Sequence, residues 1–202
     1  MAGTRPSRRV VALAAAGLLA LIAVALVATN LDRWLAAPPP GDAAVGGPFA
    51  LTANDGRQLT DADFRGRYML IYFGFTYCPD ACPTALATMA AALDRLGEKG
   101  EDIQPILITV DPERDTPEVL RDYVAAFHSR LIGLTGTPEA IADVLAAYKV
   151  YGAKGESDAS GGYLVDHSSA LFLMDPEGRF LTLFSGQTDV EALVAGLEQY
   201  VD

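Results

Sequence analysis

Tyr68 to Pro83 reads YMLIYFGFTYCPDACP, an apolar run that stops at one cysteine and meets a second four residues later. From Tyr68 to Phe75 every side chain is apolar or aromatic apart from one glycine, the pattern of a strand covered on both faces of a sheet. Beyond it, Cys82 to Leu96 places Leu86, Met89, Ala90 and Leu93 on one stripe, which predicts an amphipathic helix. A buried strand feeding straight into a helix puts Cys78 and Cys82 at the helix mouth. Unpaired N–H groups and partial positive charge there favour thiolates and make cysteines nucleophilic or metal-binding. Pro83 suits the first turn, where no N–H is needed. The four-residue spacing brings both sulfurs to one side of that turn, near enough to form a disulfide or to clasp one ion, and both chemistries are open. A bridge closing so short a loop would remove little chain entropy, which argues against a purely structural disulfide.

The surrounding elements set the fold class. Phe49–Thr52 and Ile103–Val110 read as strands. Thr116-Pro117-Glu118 and Thr137-Pro138-Glu139 each read as an N-cap followed by proline at the first helical position. Gly152 to Gly162 is a loop rich in Gly, Ser and Asp. Strands Ala170–Met174 and Phe180–Phe184 are joined by Asp175-Pro176-Glu177-Gly178, residues suited to a type I turn. The last helix opens with Thr188 and Glu191 in capping-box spacing and runs to about Tyr200. Strand and helix in alternation, then a hairpin and a terminal helix, imply an α/β domain with a central mixed sheet and helices on both faces. That order is the thioredoxin-like one.

The chain has 202 residues, half of them hydrophobic, and a net charge of −11, which fits one globular domain plus some non-globular chain and excludes a disordered protein. After Arg5, Arg8, Arg9 and Arg33, with Asp32 the one acid among them, the remainder holds 25 acidic against 11 basic side chains. So acidic a body does not suit the phosphate backbone of a nucleic acid, and none is expected as a partner. Val10 to Ala28 is an uncharged apolar run of 19 residues, at about 1.5 Å per helical residue long enough to cross a bilayer. The preceding arginines keep that end in the cytoplasm. The expected organisation is a cytoplasmic N-terminus at 1–9, a single-pass anchor at 10–28, a linker at 29–47 and a thioredoxin-like domain at 48–202. An anchor longer than a signal-peptide core, with no Arg- and Ser-rich transit segment before it, fits a bacterial inner membrane with the domain in the periplasm.

Each of the two histidines has a place. His128 falls at the end of the helix that begins at Thr116, where the carbonyl end of the dipole favours a cation, and reads as structural. His167, in Val165-Asp-His-Ser-Ser169, precedes the strand Ala170–Met174. In thioredoxin-like folds the residue before this strand faces the cysteine loop and is ordinarily a cis-proline; His-Ser-Ser stands there instead. Two thiolates and one imidazole form a soft, low-coordinate set suited to Cu(I) and acceptable to Cu(II) or zinc. Asp80 and Asp166, each adjacent to one of these residues, are candidates to tune the ligands electrostatically or by hydrogen bonds. Asp111-Pro-Glu-Arg-Asp115 reads as an acidic turn between a strand and an N-cap, with no functional role required.

Five segments together resemble the Sco/SenC family of membrane-anchored copper-binding proteins of cytochrome c oxidase assembly. They are FGFTYCPDACP (Phe73–Pro83), VDPERDTPEVL (Val110–Leu120), LIGLTGTPE (Leu131–Glu139), VDHSSALFLMDPEGRF (Val165–Phe180) and the anchor. The resemblance implies a thioredoxin fold in which Cys78, Cys82 and His167 bind copper, as Cu(I) or Cu(II), and deliver it to the Cu(A) centre of oxidase subunit II. It implies a metallochaperone, not an enzyme, fed by another periplasmic copper chaperone. The rival is a thiol-disulfide reductase in which Cys78 attacks a partner disulfide and Cys82 resolves it, keeping the oxidase copper-site cysteines reduced. The CxxxC spacing and the missing cis-proline count against a general reductase. A peroxiredoxin-like peroxidase is disfavoured by Ile71 and Phe75, where proline and threonine or serine would be needed.

Overall fold

Alternation along Tyr68–Gly74 divides the core in two. Leu70 and Tyr72 face one hydrophobic cluster, while Met69, Ile71 and Phe73 face another, because successive side chains of a strand point to opposite faces. The computed structural model describes residues 45–155 and 163–201, and these form strands β1 (Ala50–Ala53), β2 (Gln58–Thr60), β3 (Tyr68–Gly74), β4 (Ile103–Thr109), β5 (Ile132–Thr135), β6 (Gly152–Lys154), β7 (Val165–His167), β8 (Ala170–Met174) and β9 (Phe180–Ser185). The helices are α1 (Ala81–Leu96), the short α2 (Glu98–Glu101), α3 (Pro117–Val124), α4 (Pro138–Tyr148) and α5 (Val190–Leu197). Seven strands make one mixed sheet in the order β2-β1-β5-β4-β3-β8-β9, and β6 and β7 pair separately.

The central strands β3, β4 and β5 are parallel, and β8 runs antiparallel to β3. Leu86, Met89 and Leu93 of α1, Leu120 and Val124 of α3, and Leu193 and Leu197 of α5 cover one face. Ile141, Val144 and Tyr148 of α4 cover the other. Helices thus lie on both faces, as the element order implies. Thr116 and Thr137 cap α3 and α4 by accepting the N–H groups of Val119 and Ala140, each with proline in the first turn. Among the described residues no helix is long and apolar enough to cross a membrane; the expected anchor at 10–28 and the linker up to residue 44 lie outside them.

Three local expectations are corrected. The terminal helix is capped by Asp189, not Thr188: the Asp189 carboxylate accepts the Ala192 N–H at 2.8 Å, and a carboxylate caps as well as a hydroxyl. Helix α3 ends at Val124, so His128 lies beyond its last turn. His128 is structural through another contact, its Nδ1 accepting the Arg130 N–H at 3.1 Å. Strands β2, β5 and β6 carry no alternating signal long enough to read from sequence; β6 begins at Gly152, in the stretch expected to be loop, and 156–162 of that stretch lie outside the described residues.

The β8–β9 turn is closed by the Gly178 N–H donating to the Asp175 carbonyl at 2.8 Å, with Gly178 at φ +77°, a left-handed conformation that glycine adopts without strain. The Asp175 carboxylate accepts the N–H groups of Glu177 and Arg179 and the Arg179 Nε–H. Although burial acts to raise it, the Arg179 backbone and guanidinium hold the Asp175 pKa below 3.8. A depressed carboxylate stabilises the fold above its unfolded pKa and loses that contribution as pH falls through the folded value. Asp175→Ala should therefore cost about 1–3 kcal/mol at pH 7, and the gap from wild type should narrow as pH is lowered below about 4. Urea unfolding of both proteins across that pH range checks this.

Candidate metal centre

Three loops leave the same edge of the sheet, and they build the site. Strand β3 ends at Gly74, where a Cβ would lie 2.8 Å from the Tyr72 ring and 3.0 Å from Cys82 Sγ. Glycine at this position lets the sulfur settle against the end of the strand. The chain then passes through Phe75 to Cys78 and enters α1, whose second residue is Cys82. Cys82 is buried and Cys78 half-buried, and both are free thiols. Cys78 Sγ accepts the Cys82 N–H at 3.3 Å, which satisfies one of the unpaired donors of the first helical turn.

His167 is the last residue of β7, whose register with β6 pairs Gly152 with His167. Its ring stands edge-on to Tyr72 at 6.1 Å and to Phe75 at 5.8 Å. Nδ1 lies 3.1 Å from the Ser168 carbonyl, which can only accept, so Nδ1 carries the proton and the Nε2 lone pair faces Cys82 Sγ at 3.5 Å. Burial lowers the His167 pKa, which keeps the imidazole neutral, the form that binds metals. The sulfurs of Cys78 and Cys82 and a ring nitrogen of His167 all lie within 4.8 Å of one another. This is the group of donors expected from sequence, brought together from two distant segments, and two soft sulfurs with one imidazole can hold copper.

One electrostatic expectation does not hold at Cys82. The helix terminus was expected to favour a thiolate, but burial, with Cys78 beside it, pushes the Cys82 thiol up to about 12. Desolvation outweighs the helix dipole because the sulfur sits inside the core cluster. The Tyr72 hydroxyl lies 3.8 Å from that sulfur and 3.3 Å from Ser169 Oγ, and burial raises its own pKa.

Asp80 and Asp166 occupy less intimate positions than expected. Asp80 is exposed at the N-cap of α1 and makes no capping bond with its side chain. Asp166 is exposed on β7, where its charge acts to raise the His167 pKa against the larger effect of burial. Among the described residues, neither carboxylate hydrogen-bonds to the three donor residues.

Asp115, read from sequence as part of a turn without functional role, instead holds the cysteine loop in place. It is fully buried, and it accepts the Thr76 N–H at 3.1 Å, the Thr76 hydroxyl at 2.6 Å and the Thr109 hydroxyl at 2.6 Å. Burial raises its pKa against the pull of these donors. Nothing local in the sequence marks this role, because Thr76 is 39 residues away.

Comparison with known proteins places these observations among relatives. A sequence model described as SCO1/SenC matches residues 37–202. The Arabidopsis thaliana protein SCO1 homolog 1, mitochondrial, is 47% identical over 161 residues, covering 79% of this chain and 48% of the relative. The human protein SCO1 homolog, mitochondrial, is 44% identical over 146 residues, 71% of this chain and 48% of the relative. The chain thus spans about half the length of these curated relatives. Among solved structures, Arabidopsis thaliana ScoI with copper bound superposes with a TM-score of 0.73 at 45% identity, covering 78% of this chain and 100% of the other. Bradyrhizobium japonicum ScoI with copper bound gives 0.72 at 40% identity, with 78% and 100% covered.

Asp115→Ala would strand three donors, two on Thr76 of the cysteine loop and one on Thr109 at the end of β4, two of the three being hydroxyls that can rotate toward other acceptors. The expected loss is about 3 kcal/mol of stability, read as a lower urea midpoint. Asp115→Asn, which keeps one acceptor oxygen, should lose less.

Proposed function

The chain belongs to the SCO1/SenC family, and from that premise we propose that it is a membrane-anchored copper metallochaperone. Its Cys78, Cys82 and His167 carry copper to the Cu(A) site of cytochrome c oxidase subunit II during oxidase assembly. The observation that carries the reading is the convergence of two thiols and one neutral imidazole within 4.8 Å. Relatives of the same fold and 40–45% identity have been solved with copper bound. Three ligands leave a soft ion open to an incoming thiolate, which is what stepwise exchange between proteins requires. No turnover chemistry is needed.

The other parts of the proposal rest on sequence. The apolar run at 10–28 behind three arginines would anchor the chain in a bacterial inner membrane with the domain in the periplasm. Copper would come from another periplasmic chaperone. The acidic body suits a partner that offers a basic patch.

A second reading has an observation of its own. Cys78 is half-buried and Cys82 buried, the asymmetry of an attacking thiol and a resolving one. In that chemistry Cys78 forms a mixed disulfide with the partner. Cys82 then displaces it, leaving a Cys78–Cys82 disulfide and a reduced partner dithiol. His167 is not required.

The two readings separate in an anaerobic titration of Cu(I) against a chromogenic chelator, with wild type, His167→Ala and Cys82→Ser compared. The chaperone reading expects one tight equivalent that weakens at least about 100-fold in each variant, more than the loss of an outer-shell partner typically costs. Absence of competitive binding, or binding indifferent to His167, would transfer the assignment to the dithiol reductase.

A further inference from the structure

We propose that Arg114 is a positioning residue for the metal centre: its guanidinium braces the β6–β7 hairpin against the cysteine loop and so registers His167 with Cys78 and Cys82. The inference rests on the copper reading above and deepens it. The need for such a brace follows from topology. His167 rides on a strand of three residues that pairs with β6 and stands apart from the seven-stranded sheet. Of those three residues Val165 alone is buried, in the cluster that also contains Cys82. One buried side chain leaves the hairpin needing lateral contacts to hold its ligand in place.

Arg114 supplies them from the loop that follows β4. Its Cζ lies 3.6 Å from the Tyr163 ring centre, 4.6 Å from that of Tyr77 and 5.9 Å from that of Phe75. Nη1 donates to the Tyr163 carbonyl at 3.0 Å, and Nε donates to Asp111 Oδ2 at 2.5 Å. The Tyr163 hydroxyl returns to Asp111 Oδ1 at 2.8 Å, closing the cluster. Tyr163 lies two residues before β7, Tyr77 directly precedes Cys78, and Phe75 packs against the His167 ring itself. One planar cation therefore touches the hairpin that brings the imidazole, the loop that brings the sulfurs and the aromatic ring between them. Asp111 is 4% exposed and Arg114 20%, so this ion pair is largely shielded from water and salt. A lysine could keep the charge opposite Asp111 but offers no flat face to stack on Tyr163 and Tyr77 and no fork to reach the Tyr163 carbonyl as well.

The test uses the full chain as wild type, Arg114→Ala, Arg114→Lys, His167→Ala and the Arg114→Ala/His167→Ala double variant. Each is titrated anaerobically with Cu(I) against a chelator, and its Cu(II)-loaded form is examined by electron paramagnetic resonance for coupling to an imidazole nitrogen. Arg114→Ala should weaken Cu(I) binding by about 10–100-fold and diminish the nitrogen coupling, with partial recovery in Arg114→Lys. Because the effect is routed through His167, the double variant should bind as weakly as His167→Ala and no more so. Wild-type affinity and coupling in Arg114→Ala would overturn the proposal. So would an equal further loss in the His167→Ala background, which would make Arg114 a general support of the fold. If Arg114→Ala fails to fold, Arg114→Lys decides by the same readouts in both backgrounds. If wild type binds no copper, the copper reading fails by itself. The positioning role is then read from the His167–Phe75 nuclear Overhauser contacts of the metal-free chain, whose persistence in the Arg114 variant would overturn it.

Discussion

Antiparallel pairing of β3 with β8 is the constraint on which the site depends. With Tyr72 opposite Leu171 and Met69 opposite Met174, β3 finishes at the edge where β8 starts. Whatever follows β3 and whatever precedes β8 must then emerge side by side. The first is the cysteine loop and the second is His167, so Cys82 and His167 meet across 85 residues of chain. Parallel pairing of β4 with β3, Gly74 opposite Thr109, delivers Asp111, Arg114 and Asp115 to the same edge. A slip of one residue in either ladder would exchange the two faces of the strand and carry Tyr72 away from Cys82. The hydrophobic division of β3 between two clusters resists that slip, because every residue from Met69 to Phe73 is buried on one side or the other.

Burial then sets the chemistry of the edge. A thiol with a pKa near 12 and an imidazole held neutral form an uncharged pair when no ion is bound, which suits a pocket continuous with the core. A soft cation changes the balance, since it neutralises thiolates that the apolar surroundings would otherwise reject. The desolvation that opposes a free thiolate at Cys82 would be offset by the charge of a bound ion. Hydrogen bonding completes the arrangement: the Ser168 carbonyl fixes the tautomer of His167, as partners of ligating histidines commonly do.

Much of this was legible in the sequence, and the boundary between what was and was not is a matter of range. The apolar run at Tyr68, the Thr-Pro caps before α3 and α4 and the Asp175–Gly178 turn are local signals, and each names its own structure. Cys78 and Cys82 are local too, four residues apart across the start of α1. His167 could be joined to them through the element order, which is a weaker but still sequential signal. Arg114, Asp115 and Tyr72 could not, since their roles are contacts across strands whose register a single sequence does not display. Asp80 and Asp166 show the converse limit, although the charge of Asp166 does act on the His167 pKa as expected. Adjacency in sequence suggested adjacency to the ligands, yet both carboxylates are exposed, in a helix cap and on a strand whose neighbouring side chains point elsewhere. At Cys82 the local rule about helix termini was overruled by burial, a property of the packed fold.

The asymmetry of the two cysteines joins the proposed functions to this geometry. Cys82 lies beneath Tyr72 and against Gly74, beyond the reach of a docking protein without rearrangement, whereas Cys78 is half-buried beside Tyr77, which is 58% exposed. An exchange of copper with another protein would therefore begin at Cys78 and leave Cys82 and His167 as the last ligands to let go. Thiol exchange would begin at the same sulfur, since attack requires access. The two proposed chemistries would thus share their first step and part at the second. In the copper reading, release would then depend on His167, whose Nε2 lies 3.5 Å from Cys82 Sγ, and on the hairpin that carries it. Release of a mixed disulfide depends instead on making a thiolate at Cys82, the form that burial disfavours. Burial thus opposes a free thiolate at Cys82 in the reductase reading, whereas in the copper reading the charge of the bound ion would offset that cost.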